Sequence, residues 1–321
     1  MRTLGPAAAL TAAVVIGVLP LLVSDYHSLQ GAYVGMYFVA ILGLNILTGY
    51  TGQISLGHGA FMAIGGYTTA ILWGHHGVNP VWTIPLAALV AGGAGLVFGL
   101  PALRLSGLYL ALATFAVAVS VPAFAKKFSG LTGGQSGIIL GIHSGVWLYR
   151  TCWIAGGICF ALAWLVLRGR IGRAFRAVRD SEVAAVSSGV SLPVYKTLAF
   201  GISAAYAGVA GSLLSMIAAY ANPDTYPVIL SLWILIGAVV GGLGSLWGIV
   251  VGALFVEFLP IYAQNISKQA PSVIYGIALI AIMLLLPTGF AGLLRRVIAP
   301  LGAACRRRPQ DARALPRVRP K

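Results

Sequence analysis

Apolar runs long enough to cross a lipid bilayer recur along the whole chain and exclude most other folds. A helix rises about 1.5 Å per residue, so about 20 apolar residues cover the hydrocarbon layer of ~30 Å. Leu4 to Val23, Gly31 to Thr48, Val81 to Leu100, Gly107 to Ala125, Trp147 to Leu167, Thr197 to Ala218 and Pro271 to Leu286 are runs of this kind. Composition agrees: 59% of residues are hydrophobic and 8% charged, against roughly 25% charged in soluble domains. A membrane barrel would alternate polar and apolar residues over about ten positions, and no such alternation occurs. The expected fold is all-α, a polytopic transmembrane helix bundle forming one domain over residues 1–294, with a basic tail at 295–321.

One long polar stretch interrupts the apolar pattern. Residues 168–196, RGRIGRAFRAVRDSEVAAVSSGVSLPVYK, carry Arg168, Arg170, Arg173, Arg176, Arg179 and Lys196, with Asp180 and Glu182 in the middle. Such a segment cannot lie in lipid, so it forms an aqueous surface. Six of the 21 basic residues fall here and nine more in 295–321, the bias that marks cytoplasmic loops. Clustering beside apolar spans argues against nucleic acid as the partner of the +15 net charge. The tail, rich in Arg, Pro and Ala without apolar periodicity, reads as a disordered topology anchor; contact with anionic membrane lipid is the alternative.

Charge placement also counts the spans. With residues 168–196 and the tail both cytoplasmic, four crossings separate them, two more lead back to Arg104, and four more reach Arg2. The sum is ten spans with both termini cytoplasmic, and Lys126 and Lys127 fall on the wrong side. A re-entrant segment at 241–248 would reduce the count to eight. Leu4 to Val23 follows Arg2 as a signal peptide would, but it is too long and lacks a small-x-small site before Ser24, which favours an uncleaved first helix. Asp25 to Gln30 is expected to be a polar turn, 73–82 an interfacial turn bounded by tryptophans, and 128–146 a Gly- and Ser-rich loop.

Glycine is concentrated where a span should be regular. Leu44 to Ala70, LNILTGYTGQISLGHGAFMAIGGYTTA, is apolar enough for membrane depth but holds six glycines with Gln53, Ser55 and His58. Non-helical backbone at that depth is tolerated only where protein or a water-filled cavity satisfies its amides, and broken helices of this kind line transport pathways. Candidate pathway residues are therefore Gly49, Gly52, Gln53, Ser55, Gly57, His58 and Gly59, joined by Gly241 and Gly244 from GGLGSLWG. Close helix packing through small residues is the alternative. His58, with no second His or carboxylate near it in sequence, reads as a buried, hydrogen-bonded histidine.

Tyr226 to Ala263 is too long for one straight span and reads as two short helices joined by a tight turn, with Gly237, Gly241, Gly248 and Gly252 at small-xxx-small spacing. Gly201, Gly208 and Gly211 give the preceding helix a smooth face. Glu257 is an acid inside a span, and its position near Pro260 suggests a helix end at the interface. Cys152 and Cys159 lie about 10 Å apart along one helix axis and cannot bridge; they read as core. Cys305 reads as a free thiol in the tail.

Transport needs an energy source. Ion-coupled carriers place ionisable groups inside the bundle, and here only His58 and Glu257 qualify. An ATP-driven permease needs instead an aqueous surface on which a separate ATPase can act, and residues 168–196 supply one. No lysine completes a phosphate-binding loop, no residue set suggests a cofactor or metal, and no His, Asp and Cys cluster suggests a membrane enzyme. Ile171 to Ser188 reads as a single helix stopped by Gly189, able to dock in a partner's groove. A helix lying on the membrane, or a solvated loop, is the alternative.

The stretch RAVRDSEVAAVSSGVSLPVYKTLAF resembles the cytoplasmic coupling loop of ABC-type permeases for branched-chain amino acids. That family's Arg-x-x-Arg-(Asp/Asn)-x-Glu-x-Ala-Ala…Gly…Lys pattern falls on Arg176, Arg179, Asp180, Glu182, Ala184, Ala185, Gly189 and Lys196. Asp180 and Ser181 stand where Glu and Asn are more usual. The glycine-rich segment at 44–70, RLSGLYLALATFA, TGGQSGI and PTGFAGLL are similar to further landmarks of the LivM-type member, in matching order over residues 30–295. The resemblance implies a bacterial inner-membrane subunit that pairs with a homologous permease, binds two cytoplasmic ATPases and receives solute from a periplasmic binding protein. It implies alternating access driven through the 171–188 helix, and branched-chain amino acids as solute, with urea, short amides or aromatic acids as alternatives.

Overall fold

The computed structural model describes residues 24–105 and 107–264, with isolated positions 276, 289, 290 and 292. The expected first and last spans, the basic tail and Cys305 lie outside the described residues.

Ten α-helices of six residues or more account for most of the described chain: α1 Asp25–Leu44, α2 His58–Ala70, α3 Pro80–Ala102, α4 Leu108–Lys127, α5 Gly145–Arg168, α6 Arg170–Asp180, α7 Glu182–Ser187, α8 Leu192–Ala218, α9 Val228–Gly241 and α10 Gly248–Gln264. The fold is all-helical, apart from a two-residue antiparallel ladder in which Ile138 pairs with Ala221 and Ile139 with Tyr220. Among the described residues six helices are long and apolar enough to cross a membrane: Asp25–Tyr50, Pro80–Ala102, Leu108–Lys127, Gly145–Arg168, Leu192–Ala218 and Pro223–Gly241. α2 has 13 residues, about 20 Å at helical rise, too short to cross unaided.

Burial separates centre from rim. The apolar windows of α1 and α8 are 89% buried within the chain, whereas those of α3, α4 and α5 are 28% buried, so α1 and α8 form the axis. Against α8 pack α3, α2 and α1; against α1 pack α5, α10 and α9. Small residues make these approaches possible. Gly201 abuts Leu96, Gly95 abuts Ala204, and Gly208 lies against the Ala87 carbonyl on α3, while Gly65 of α2 meets the Gly208 backbone and Gly211 meets Met62. Lipid does not drive helices together by the hydrophobic effect, so such close backbone contacts supply the association. The smooth face expected at 201, 208 and 211 serves two neighbours at once.

Several boundaries differ from the sequence reading. Asp25 to Gln30 is helical: α1 begins directly after Ser24, with Asp25 in the first turn where a carboxylate complements the helix dipole. Residues 71–75 prolong α2 as a π-turn, and α3 starts at Pro80 with Asn79 accepting from the Val81 amide at 3.0 Å. Ser144 caps α5 similarly. Residues 242–247 join α9 and α10 as the expected tight turn, with Gly242 and Gly244 at positive φ. Glu257 is not at a helix end, because α10 continues through Pro260 to Gln264. Cys152 and Cys159 are buried free thiols.

α8, 27 residues long and therefore about 40 Å, separates two chemically different ends. At its start lie α6, α7 and their basic residues; at its finish lies the ladder. Lys126, which disobeyed the charge count, sits at the ladder end and pairs with Asp224 at 3.4 Å, both exposed. Gln135 donates to the same carboxylate at 3.2 Å. A local carboxylate thus offsets the misplaced cation.

Gly208→Leu should overpack the α8–α3 crossing and cost about 1–3 kcal/mol, seen as a lower Tm of the detergent-solubilised chain by circular dichroism. Gly157→Ala faces open space and should raise stability by about 0.5–1 kcal/mol instead.

Candidate functional site

The basic stretch folds as two helices rather than one. Ser181 is extended (φ −164°, ψ 117°), ends α6 and caps α7, its Oγ accepting from the Ala184 amide at 3.3 Å. A serine followed by an acid in the first turn is a helix-start signature, and here it outweighs continuation. α6 turns Gly172, Ala174, Phe175 and Val178 inward. Gly172 touches the Leu167 backbone so closely that no side chain fits. Arg176 donates Nη1 to the Leu167 carbonyl at 3.3 Å, satisfying one of the free carbonyls at the end of α5.

α7 ends as expected at Gly189, which has φ 81°. The Val190 amide donates to Ala185 O at 3.0 Å and the Gly189 amide to Val186 O at 2.9 Å, the paired bonds of a Schellman stop. Ala185 is buried and Ala184 exposed, so one alanine of the pair docks inward. Lys196, with its side chain 10% exposed, bonds Glu182 at 2.7 Å and ties α7 to the first turns of α8. The α6–α7 unit is therefore tied to α5 through Arg176 and to α8 through Lys196.

Arg179 reaches into the bundle. Its Nε and Nη2 donate to Asp180 Oδ1 at 3.1 and 3.0 Å, and this contact orients the guanidinium so that Nη1 donates to the Gly49 carbonyl at 3.0 Å. Gly52, at φ 73°, lies beneath the Arg179 stem, and Gly244, at φ 77°, lies beside the bond between Nη1 and Gly49 O. A Cβ at Gly244 would come within 3.2 Å of both. Three segments far apart in sequence meet here: the end of α1, the α9–α10 turn and the end of α6.

Asn45, which the sequence reading passed over, holds that meeting point together. It is fully buried. Its Oδ1 accepts from the Gly244 amide at 2.8 Å and its Nδ2 donates to the Ser245 carbonyl at 3.0 Å. From Asn45 to Tyr50 the helix is a π-helix, a rare form that recurs at functional sites.

The other candidate pathway residues divide into a second group. Gln53 donates to Thr51 Oγ1 at 3.0 Å, and the Ser55 hydroxyl accepts from the Gly57 amide at 3.3 Å. Gly57 packs on Thr114, whose Oγ1 accepts the Leu56 amide at 2.9 Å, and the Gly59 amide donates to Ser231 Oγ at 2.8 Å. Thr114 and Ser231 were also missed from sequence. Gly241 packs against the Gly248 backbone inside the α9–α10 hairpin. His58 is 1% exposed with its Nε2 unpartnered among the described residues, and it faces Gly43. Broken backbone is present where glycines predicted it, and the close-packing alternative also holds for Gly57, Gly59 and Gly241. Among the described residues no group of three or more His, Cys, Asp or Glu could hold a metal.

A helical bundle with several membrane-length spans, a broken central segment and a basic helical unit at one end defines a membrane permease. Comparison with known proteins makes this specific. The family described as branched-chain amino acid transport system, permease component, matches residues 29–286, and the chain belongs to that family. It is 32% identical over 252 residues to the high-affinity branched-chain amino acid transport system permease proteins LivM of Salmonella typhimurium and Escherichia coli strain K12. Those alignments cover 68% of this chain and 59% of each relative. It is also 25% identical over 281 residues to the LivH permease protein of Salmonella typhimurium, covering 80% of this chain and 91% of the relative. No solved structure matches.

Asn45→Ala would leave the Gly244 amide and the Ser245 carbonyl unpaired in a buried position and should cost about 1–3 kcal/mol. Chemical or thermal unfolding of the purified chain measures it; unchanged stability would mean that the junction does not hold the turn.

Proposed function

We propose that the chain is the membrane-spanning permease subunit of an ATP-driven importer in a bacterial inner membrane, carrying branched-chain amino acids or a related small polar solute. It pairs with a LivH-type permease, docks two cytoplasmic ATPases through residues 168–196 and receives solute from a periplasmic binding protein. In this reading the chain crosses the membrane ten times with both termini cytoplasmic, and residues 1–294 form the permease domain. The family membership and the LivM and LivH relatives support the class.

The observation that carries the coupling role is the reach of Arg179 from the end of α6 to the Gly49 carbonyl. Val183 and Val186 on α7 are 79% and 53% exposed, an apolar surface suited to a protein partner. Force applied there is transmitted along α6, because Ala185 and Phe175 anchor the unit's inner face. Arg179 and Asn45 pass that displacement to the π-turn of α1 and to the α9–α10 turn together. Those are the two places where the helices are already broken and can reorient without tearing a regular hydrogen-bond ladder. Alternating access follows from moving both turns in one stroke, with the segments around Gly49 to Gly59 and Gly241 to Gly244 bordering the opening.

Arg179→Gln removes a charge-assisted hydrogen bond and should lower solute uptake about ten-fold or more in the reconstituted complex, while ATP hydrolysis persists and membrane insertion is unchanged. Glu182→Lys should uncouple similarly by opposing Lys196. Normal uptake in both variants would sink the coupling role. Uptake driven by an ion gradient without ATPase subunits would instead establish ion coupling, with His58 and Glu257 as the residues to test.

A further inference from the structure

Among the bases of the polar stretch, three make no hydrogen bond or ion pair with the described residues. Arg179 is held by Asp180 and Gly49, Arg176 by Leu167 and Lys196 by Glu182. Arg168, Arg170 and Arg173 are exposed and have no carboxylate or hydrogen-bond partner among the described residues. The Arg168 guanidinium instead lies 3.7 Å above the ring of Trp164.

Their placement is not that of an ordinary solvated face. On α5, Ile154, Ile158 and Leu165 are 64%, 58% and 60% exposed. At 100° per residue they share one side of the helix with Arg168, opposite Cys152, Gly156, Cys159 and Ala163, which are buried. The stripe is the apolar surface α5 offers to lipid, and it ends in an indole with a guanidinium on its face, the pairing suited to a headgroup layer. Gly169 then breaks the helix with extended backbone. α6 leaves at that level with Phe175 and Val178 turned inward and Arg170 and Arg173 turned outward. Residues three apart on a helix are neighbours, about 5–6 Å between Cβ atoms, and Arg168 lies two residues before Arg170. Three exposed arginines thus fall within six residues at the corner where the apolar face of α5 ends.

We infer that Trp164, Arg168, Arg170 and Arg173 form a binding site for the headgroup phosphate of an anionic phospholipid in the leaflet at the basic end. Guanidinium forks match phosphate oxygens in two-point hydrogen bonds, and the acyl chains of the same lipid lie along Ile154, Ile158 and Leu165. Bound lipid supplies the counter-charge that the described residues lack there, and it braces the α5–α6 corner from outside while Arg176 braces it from inside. This assignment does not depend on the identity of the transported solute.

The test uses the full chain reconstituted in bilayers with a trace of phosphatidylglycerol carrying a headgroup photo-crosslinker, and in parallel with the same probe on phosphatidylcholine. Crosslinked peptides are mapped by mass spectrometry. The expected result is phosphatidylglycerol crosslinks within residues 161–176, few from phosphatidylcholine, and about a five-fold loss for each guanidinium removed in Arg168→Gln, Arg170→Gln and Arg173→Gln. Arg168→Lys should retain more crosslinking than Arg168→Gln, which separates loss of charge from misfolding. Crosslinks confined to 295–321, or equal for the two lipids, overturn the site. So does a triple glutamine variant that keeps its lipid crosslinks but no longer co-purifies with ATPase subunits, since the arginines would then serve a protein partner.

Discussion

In a bilayer, a backbone amide that finds no partner inside the protein costs several kcal/mol, and residues 51–57 are where this chain meets that constraint. From Gly52 to Gly57 the backbone is neither helix nor strand. It survives because side chains stand in for a helix ladder. Thr48 donates to the Gln53 carbonyl, Thr114 accepts the Leu56 amide and Ser55 accepts the Gly57 amide. One residue into α2, Ser231 accepts the Gly59 amide. The partners from outside the segment come from the π-turn that follows α1, from α4 and from α9, so the broken segment ties those three parts together. The glycines are the other half of the same constraint, since Gly57 and Gly59 let the hydroxyl-bearing helices approach to bonding distance.

The break also sets where the bundle can change shape. α1 ends in a π-turn, α9 and α10 meet in a turn with two positive-φ glycines, and both are tied to one asparagine and one arginine. A π-turn carries one residue more per hydrogen-bonded ring than an α-turn, so it can tighten or shift register at modest cost. The rigid parts, α8 with α3 and the α1–α5 pair, lie behind it. Regular helices thus surround a junction that is not regular.

Much of this was legible in the chain. The apolar runs gave the all-helical bundle, the glycine cluster marked the broken segment, and the 241–248 motif marked a turn, because each signal is local and its cause is local. Asn45 was not legible. It sits in LGLNILTG like any polar residue tolerated in a span, and its partners are 199 and 200 residues away, a pairing only tertiary structure creates. Thr114 and Ser231 were hidden for the same reason. Two boundaries did have a readable cue: Ser24 with Asp25, and Ser181 with Glu182, each an N-cap type followed by a first-turn acid. Apolar periodicity hid the second, because Val178 and Ala185 continue one another's face across the break.

The small ladder between 138–139 and 220–221 joins segments with four helices between them in the chain. During synthesis it cannot close until α5, α6, α7 and α8 have all been delivered, so it forms late, after the expensive loop closures have been made by helix packing. Only one register brings Leu140 to the Ala219 carbonyl and Gly137 against Asn222. A bundle assembled with α8 rotated or displaced along its axis would leave those groups unmatched. Two residues wide, the ladder thus matches only one placement of α8.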